Sequence, residues 1–509
     1  MTTAPTTDAT QATERVDVAI IGAGFGGIAT AHRLKQEGTR TFVLLERAQD
    51  VGGTWRDNSY PGCACDVPSH LYSLSFALNP NWSRTYSQQP EIHAYLRDVA
   101  RKEGLLGHVR FGREVQEAAW DDAAKHWRIT TNAGTTVAKA IISAAGPLTE
   151  PKLPNIPGLA DFESTLFHSA RWNHDYDLTG KRVAVVGTGA SSIQFIPEIQ
   201  PQVAKLHVFQ RTAAWVLPRT DRPITPVERF IYRRVPGAQR LMRRAVYWGR
   251  EGAALPLRFP ALTAVISAIG RVHLRAQVRD PELRRKLTPT FKPGCKRLLL
   301  SNTYLKSLDR PNVELIDQGL AEVRGRTVIA ADGTEREVDA IILGTGFEVT
   351  DVPIAHHLRG KDGRLLSEHW AGGMEAHRST TVAGFPNLFF ILGPNAGLGH
   401  TSVVYMAEAQ AHYAIEVLKH LDATGADAVE PRPEAQQAWT EDVQRRCEQT
   451  VWLKGGCASW YIDPVSGNVT TLWPDQTFRF REQLARAIPE ELEVSSAATP
   501  AEEPAPAAV

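Results

Sequence analysis

Two short glycine-rich turns are where this sequence offers chemistry. The first, Gly22-Ala-Gly24-Phe-Gly-Gly27, follows the apolar run Val16–Ile21 and opens a helical pattern from Phe25 to Glu37. Glycines at that spacing let backbone N–H groups approach a pyrophosphate at the positive end of a helix. The next apolar run ends in Glu46, 24 residues beyond Gly22, where a carboxylate accepts hydrogen bonds from a ribose diol. The second turn, Gly187-Thr188-Gly189-Ala190-Ser191-Ser192, has the same strand-before, helix-after setting, with serine at the third glycine position. Its following run ends in "HVFQRT", so Arg211 stands 24 residues beyond Gly187, the offset of Glu46. A carboxylate there would repel a 2′-phosphate, whereas a guanidinium binds one through paired charge-assisted hydrogen bonds. The residues thus predict one site for a dinucleotide with a free ribose diol, most simply FAD, and a second that prefers NADPH. A chain holding both moves a hydride from nicotinamide to flavin.

The elements that must position these turns are short β-branched runs: Val16–Ile21, Thr41–Glu46, Arg182–Val186, Leu206–Gln210 and Val338–Leu343. Helical patterns follow at Phe25–Glu37 and Ala190–Ile199, and strand–turn–helix order means parallel sheets covered by helices. A length of 509 residues suggests two or three domains. From Asp221 to Lys292 the sequence becomes Arg-rich and largely helical, an insertion foreign to either sheet. Two readings of it stay open: a helical cap with a solvated charged face, and a basic amphipathic surface for a membrane.

Bulk properties narrow the partners. With 43% apolar and 22% charged residues and a net charge of +1, the chain has no overall field for nucleic acid. The five cysteines, Cys63, Cys65, Cys295, Cys447 and Cys457, form no CxxC pair, against a zinc ribbon or a dithiol centre, and no metal site is expected. Their odd number and the lack of a signal-like start fit a cytoplasmic protein, with peripheral membrane contact left open. No long apolar span is free of charge and breakers; "FPALTAVISAIG" from Phe259 has 12 residues and a proline. The first 14 residues and those from 491 to 509 read as disordered tails.

Three fates for the flavin's electrons follow. A disulfide reductase needs a CxxxxC pair, and Cys63-Ala-Cys65 is too closely spaced. A reductase serving a protein partner leaves no further signature. The third acceptor is O2.

Five segments bear on that choice: "GGTWRDNSYPGCACDVPSHLYS" (52–73), "FESTLFHSARWN" (162–173), "VFQRT" (208–212), "GCKRLLL" (294–300) and "LGTGF" (343–347). Along nearly its whole length between the tails the chain resembles the type I Baeyer–Villiger monooxygenases. The family signature FxGxxxHxxxW, then Pro or Asp, is represented by Phe162, His168 and Trp172, with Ser164 and Asn173 at the departing positions. Sister N- and S-oxygenating enzymes usually end that motif in tyrosine; they are the alternative reading.

The resemblance implies an α/β fold of two Rossmann-like dinucleotide-binding domains, the second inserted in the first, plus the helical insertion. The expected division is an FAD-binding domain at 15–147 and 381–490, an NADPH-binding domain at 148–220 and 293–380, and the insertion at 221–292. It implies oxidation of a lipophilic ketone to an ester or lactone through a C4a-peroxyflavin. Arg297 would stabilise the peroxide, and Asp66 would position that arginine and contact the cofactors. A buried peroxyanion needs a fixed cation, and arginine stays protonated at mildly alkaline pH. Thr54, Trp55 and Tyr72 would lie around the flavin, with Val115 at its adenylate end. Thr212 and Lys296 would assist Arg211 at the 2′-phosphate, and Trp460 would sit on a loop over the nicotinamide. "GPNAGLGHTS" (393–402) would aim a helix start at the isoalloxazine, with His400 structural. The insertion, the segment after Trp370 and Trp452–Tyr461 would wall the substrate pocket.

Overall fold

The computed structural model describes residues 13–252 and 254–497. Glu14–Ile21 lies inside a first sheet, with Phe42–Glu46 and then Val109–Phe111 on one side and Gly134–Ser143 on the other, all parallel. One face packs against the helices Phe25–Glu37 and Val403–Thr424, and the other against Trp127, Ile129, Leu358 and Trp370, so Val18, Ala19 and Ile20 are fully buried. Burial on both sides is why such strands read as unbroken apolar runs. His126–Thr131 and Val115–Asp121 extend the sheet antiparallel, and Leu358–Arg359 closes that edge.

The second sheet is wholly parallel, in the order Val313–Ile316, Lys205–Phe209, Arg182–Val186, Ala340–Leu343, Thr165–His168. After it, Leu388–Phe390 returns to pair in parallel with Ile141–Ser143 of the first sheet. The second unit is therefore inserted in the first. Each glycine turn leaves the carboxyl end of a strand that has a parallel neighbour on both sides, the crevice where open α/β sheets bind ligands.

Local chemistry explains the turns. Gly22 has φ +96°, and a Cβ there would lie 2.7 Å from the Ala144 carbonyl oxygen. Gly187 has φ +104° and the same kind of neighbour, the Gly344 oxygen, at 2.5 Å. Serine at the third glycine position is admitted because residue 344 has no side chain: a Cβ there would lie 2.1 Å from Ser192 Oγ.

The insertion comprises Pro226–Arg234, Ala238–Gly252, Leu255–Arg258, Thr263–Gln277 and Pro281–Lys286. The strands that flank it, Val216–Leu217 and Leu299–Leu300, pair with each other, so it leaves and rejoins the body at one place. Thr225 and Glu228 start its first helix as a reciprocal capping box. Arg243 bolts it to the first unit: Nη1 donates to the carbonyls of His70, Leu71 and Ser73 at 3.0, 3.1 and 2.8 Å.

Three expectations need correction. The amino-terminal tail, expected to residue 14, gives way to a strand at Glu14; residues 1–12 lie outside the described residues. The carboxy-terminal tail does not begin at 491. Leu492–Ser495 pairs antiparallel with Ala428–Pro431, and the Glu491 carboxylate accepts from His377 and Arg378; only residues 498–509 lie outside the described set. The Leu-Glu-Val-Ser run alternates apolar and polar residues, but four residues are too short for that alternation to stand out. Finally, the chain re-enters the first unit before residue 381. Leu358–Arg359 joins the first sheet, and Leu366, Trp370 and Met374 pack in the core beneath it.

Two outcomes test this account. Gly344→Ala should lower Tm sharply and weaken nicotinamide-cofactor binding, and adding Ser192→Ala should restore both, read by thermal melts and cofactor titration. Burial would raise the Glu491 pKa, but hydrogen bonds from His377 and Arg378 hold it down to about 2. Its contribution is therefore full above the ordinary carboxyl pKa and is lost as pH falls through about 2. Glu491→Gln should cost about 1–2 kcal/mol at neutral pH, the group being partly open to water. That difference should shrink below about pH 4.5 in denaturant titrations.

Candidate functional site

In the first turn Glu46 is only 4% exposed. One carboxylate oxygen accepts from Ala23 N at 2.9 Å, tying it to the turn. The other accepts from Ala48 N at 3.0 Å and Arg56 Nη1 at 2.9 Å. Sequence reasoning missed Arg56, the cation that pairs with this carboxylate. Thr54 and Trp55 lie on the short helix Thr54–Asp57, which starts at Gly53 against Gly24. Trp55 Nε1 donates to Tyr72 Oη at 3.0 Å, and Tyr72 meets the Phe25 ring edge-on at 5.1 Å. Burial pushes the Tyr72 phenol well above its ordinary pKa, so it remains a neutral donor. Val115 is buried and opens its strand opposite Thr131.

In the second turn Gly189 is exposed and nothing stands within 4 Å of a Cβ placed on it. Thr188 and Ser191 are partly buried, and Ser191 precedes the helix Ser192–Ile199. Arg211 and Thr212 are exposed just past the strand Lys205–Phe209. Burial, and then the charge of Arg211, lowers the Lys296 pKa. Among the described residues neither cation has a carboxylate partner. Two converging cations without an anion make a phosphate-sized site.

A third group of residues centres on the Arg297–Asp66 pair. Nε and Nη2 of Arg297 donate to one Asp66 oxygen at 3.0 and 2.7 Å, and Nη1 donates to the Leu398 carbonyl at 3.0 Å. Each side chain is 31% exposed. Asp66 raises the Arg297 pKa against burial, so the guanidinium is a permanent cation. Burial acts to raise Asp66, but Arg297, Arg250 and Arg219 outweigh it and leave the carboxyl below its usual range. Arg219 donates to the Cys65 carbonyl at 3.1 Å and lies over the Tyr86 ring, whose hydroxyl accepts from Arg250. Neither arginine was foreseen; each reaches the cleft only through the fold.

The units meet here. Gln194, on the second unit's helix, accepts from Tyr60 Oη at 3.0 Å and Ala64 N at 3.2 Å, and donates to the Ala64 carbonyl at 3.0 Å. The motif residues line the linker instead. Phe162 is buried under the second sheet, and Trp172 packs on Phe167 and Phe195. His168 Nδ1 accepts from Ala170 N at 3.0 Å, and burial, with Arg171, lowers its pKa to about 4. It is a neutral structural imidazole.

One reading of the loop chemistry changes. Cys295 and Cys457 form a disulfide across 162 residues, linking the segment before Arg297 to the loop before Trp460. The cysteine count had suggested reduced thiols throughout; Cys63, Cys65 and Cys447 are free and buried. Trp460 is 49% exposed and stacks edge-on with Tyr461. Tyr461, one residue later, is the buried aromatic that shares the field of Arg297 and Asp66. His400 is buried with Nε2 3.7 Å from Glu251, in a pocket also walled by Leu257, Trp452 and Trp473.

Both sites fit dinucleotides: a glycine cradle that a Cβ would block, a buried acid at one ribose, unpaired cations at the other. Residues 15–248 match the family described as flavin-binding monooxygenase-like. A Baeyer–Villiger monooxygenase of Streptomyces coelicolor is 53% identical, the alignment covering 94% of this chain and 92% of the relative. One of Pseudomonas aeruginosa is 46% identical, over 94% of this chain and 91% of its own. The NADP+-bound crystal structure of cyclohexanone monooxygenase from Rhodococcus sp. Phi1 superposes with a TM-score of 0.84 at 30% identity, covering 96% of this chain and all of the other.

Replacing the cation pair should separate the two nicotinamide cofactors. Arg211→Ala or Lys296→Ala should raise KM for NADPH about tenfold or more, the loss of one charge-assisted contact, while KM for NADH barely moves. Steady-state kinetics with both cofactors checks this.

Proposed function

We propose how this site works from the premise that the chain belongs to the Baeyer–Villiger monooxygenases, within the flavin-binding monooxygenase-like family. It is an FAD- and NADPH-dependent enzyme that inserts one oxygen atom of O2 beside a ketone carbonyl, giving an ester or lactone. The observation that carries our reading of its residues is the Arg297–Asp66 pair, which joins the first unit's loop to the segment that follows the insertion. Bound flavin supplies two-electron redox chemistry and oxygen activation, with NADPH as the electron source.

The chain's own residues do the rest. Gly22, Gly24 and Gly27 let backbone N–H groups reach one pyrophosphate, and Glu46 takes the ribose diol. Thr54, Trp55 and Tyr72 flank the flavin and keep water from it, and the Val115 backbone meets its adenylate end. Gly187, Thr188, Gly189, Ser191 and Ser192 cradle the second pyrophosphate, while Arg211, Thr212 and Lys296 hold the 2′-phosphate. Arg297 provides a fixed positive charge where anionic oxygen develops. Its three hydrogen bonds, two to Asp66 and one to Leu398, are set in advance beside the Cys295–Cys457 bridge, so little reorganisation accompanies the reaction. Asp66 gives Oδ2 to the arginine and keeps Oδ1 for a cofactor amide.

We assign Trp460 to a loop that closes over the nicotinamide, with Tyr461 as its inner face. The apolar and aromatic side chains of the insertion and of Trp452–Tyr461 are our ground for a lipophilic ketone as substrate. The cytoplasm is the compartment we expect, on the sequence reading alone.

Arg297→Ala should leave NADPH-driven flavin reduction standing while ester formation falls about 10²–10³-fold, the loss of one preorganised electrostatic contact. Stopped-flow reduction and product analysis under ¹⁸O2, with ketone and thioether substrates side by side, measure the two halves. Undiminished ester formation would remove Arg297 from this role, and thioether oxygenation alone would favour the sister class.

A further inference from the structure

We infer that the helical insertion is a docking surface for an anionic membrane. Among the described residues, 12 of the 19 large apolar side chains exposed to solvent lie between residues 221 and 292. They are ordered along helices. In Ala238–Gly252, exposed Leu241, Ala245 and Trp248 follow one another at four and three residues, one face of a helix. Leu255, on the next short helix, is exposed as well. Around Thr263–Gln277, exposed Leu262, Val265, Ile269 and Val272 repeat at three, four and three. Val227, Phe230 and Ile231, at i, i+3 and i+4, share one face of Pro226–Arg234. Trp248 is 58% exposed. Stripes like these ordinarily face a core; here they face outward, on a part of the molecule that is already bolted down through Arg243, Gln239 and Tyr247.

Charge selects the occupant. Residues 221–292 hold 16 Lys and Arg against 5 Asp and Glu, a net +11 in a chain whose total is +1. From Arg229 to Arg279 the sole carboxylate is Glu251, which is buried and accepts from Thr477. Arg234, Arg240, Arg244, Arg271 and Arg275 are exposed and have no ion-pair partner among the described residues. Apolar stripes edged by cations and free of exposed acids match an anionic lipid surface: side chains enter the acyl boundary while guanidiniums meet headgroup phosphates. A second copy of the chain is a poor fit, because a two-fold contact would press +11 against +11. The helices lie on the bilayer and do not cross it. At 15 residues each, the two long ones span about 22 Å, short of the roughly 30 Å hydrocarbon core. No single helix among the described residues is long and apolar enough to cross a membrane.

The test uses the flavin-loaded full chain with vesicles, independently of ketone turnover. Co-sedimentation with vesicles of equal phosphatidylglycerol and phosphatidylcholine should exceed that with pure phosphatidylcholine by about tenfold or more, and should fall steeply in high salt. Leu241→Ser/Trp248→Ser/Ile269→Ser should lose vesicle binding while keeping the melting temperature and flavin content, since all three side chains are exposed. Equal binding to both vesicle types, no binding at low salt, or binding undiminished in the triple variant overturns the proposal. So does sedimentation equilibrium that shows dimers dissolved by the same substitutions, which would make a second copy the occupant.

Discussion

Arg297 and Asp66 come from segments 231 residues apart, and neither charge would be tolerable in the cleft without the other. A lone guanidinium there would lose hydration without recompense, and a lone carboxylate would repel the phosphates and the anionic oxygen that the site must accept. Together they leave the arginine charged at every working pH. The requirement reaches outward. Asp66 sits on the first unit's long loop, which Gln194 of the second unit holds through three hydrogen bonds. Arg297 follows directly on the segment tied by the Cys295–Cys457 bridge. Both dinucleotide turns therefore have to be in register before the ion pair can close.

The cofactor ends of the site show the opposite arrangement. Glu46 is satisfied within the protein by Arg56 and two backbone N–H groups, so the first ribose site is complete before any ligand arrives. Arg211 and Lys296 depress each other's comfort instead, and an arriving 2′-phosphate relieves that repulsion. One dinucleotide is thus met by a finished cradle and the other by a deficit of negative charge. That difference suits a flavin that stays and a nicotinamide that must be chosen.

What could be read from sequence was what is local. The glycine turns, the strands before them, and Glu46 and Arg211 at a common offset depend on a few dozen contiguous residues, and they lie where that pattern put them. Phe25–Glu37 was legible to its ends because glycine brackets it on both sides. Arg297 and Asp66 were legible only through resemblance, since in isolation each is an ordinary loop charge. Arg56, Gln194, Arg219, Arg243 and Arg250 were not legible at all. Each acts on a backbone or carboxylate that is distant in sequence or set by loop geometry, and no periodicity records such a meeting. Trp460 and Tyr461 make the point at single-residue scale: composition identifies an aromatic loop, but only packing decides which ring turns inward.

The seat of Arg243 bears on how the two units could swing past each other. The insertion is covalently part of the second unit, yet its arginine is sunk into carbonyls of the first, with Gln239 on Asn79 and Arg84 on Asp221 reinforcing the seam. A swing between the sheets would work the chain crossings at 144–164 and 344–357 and, through the insertion, a hinge at the paired strands Val216–Leu217 and Leu299–Leu300, where the insertion leaves its parent. The insertion touches both halves, through Arg243 on one side and through Gln210 on Lys286 and His273 on Ser301 on the other, so it would transmit any pivot of the nicotinamide half to the flavin half. Arg297, on the short run between that hinge and the disulfide, would be the side chain most directly steered by the swing.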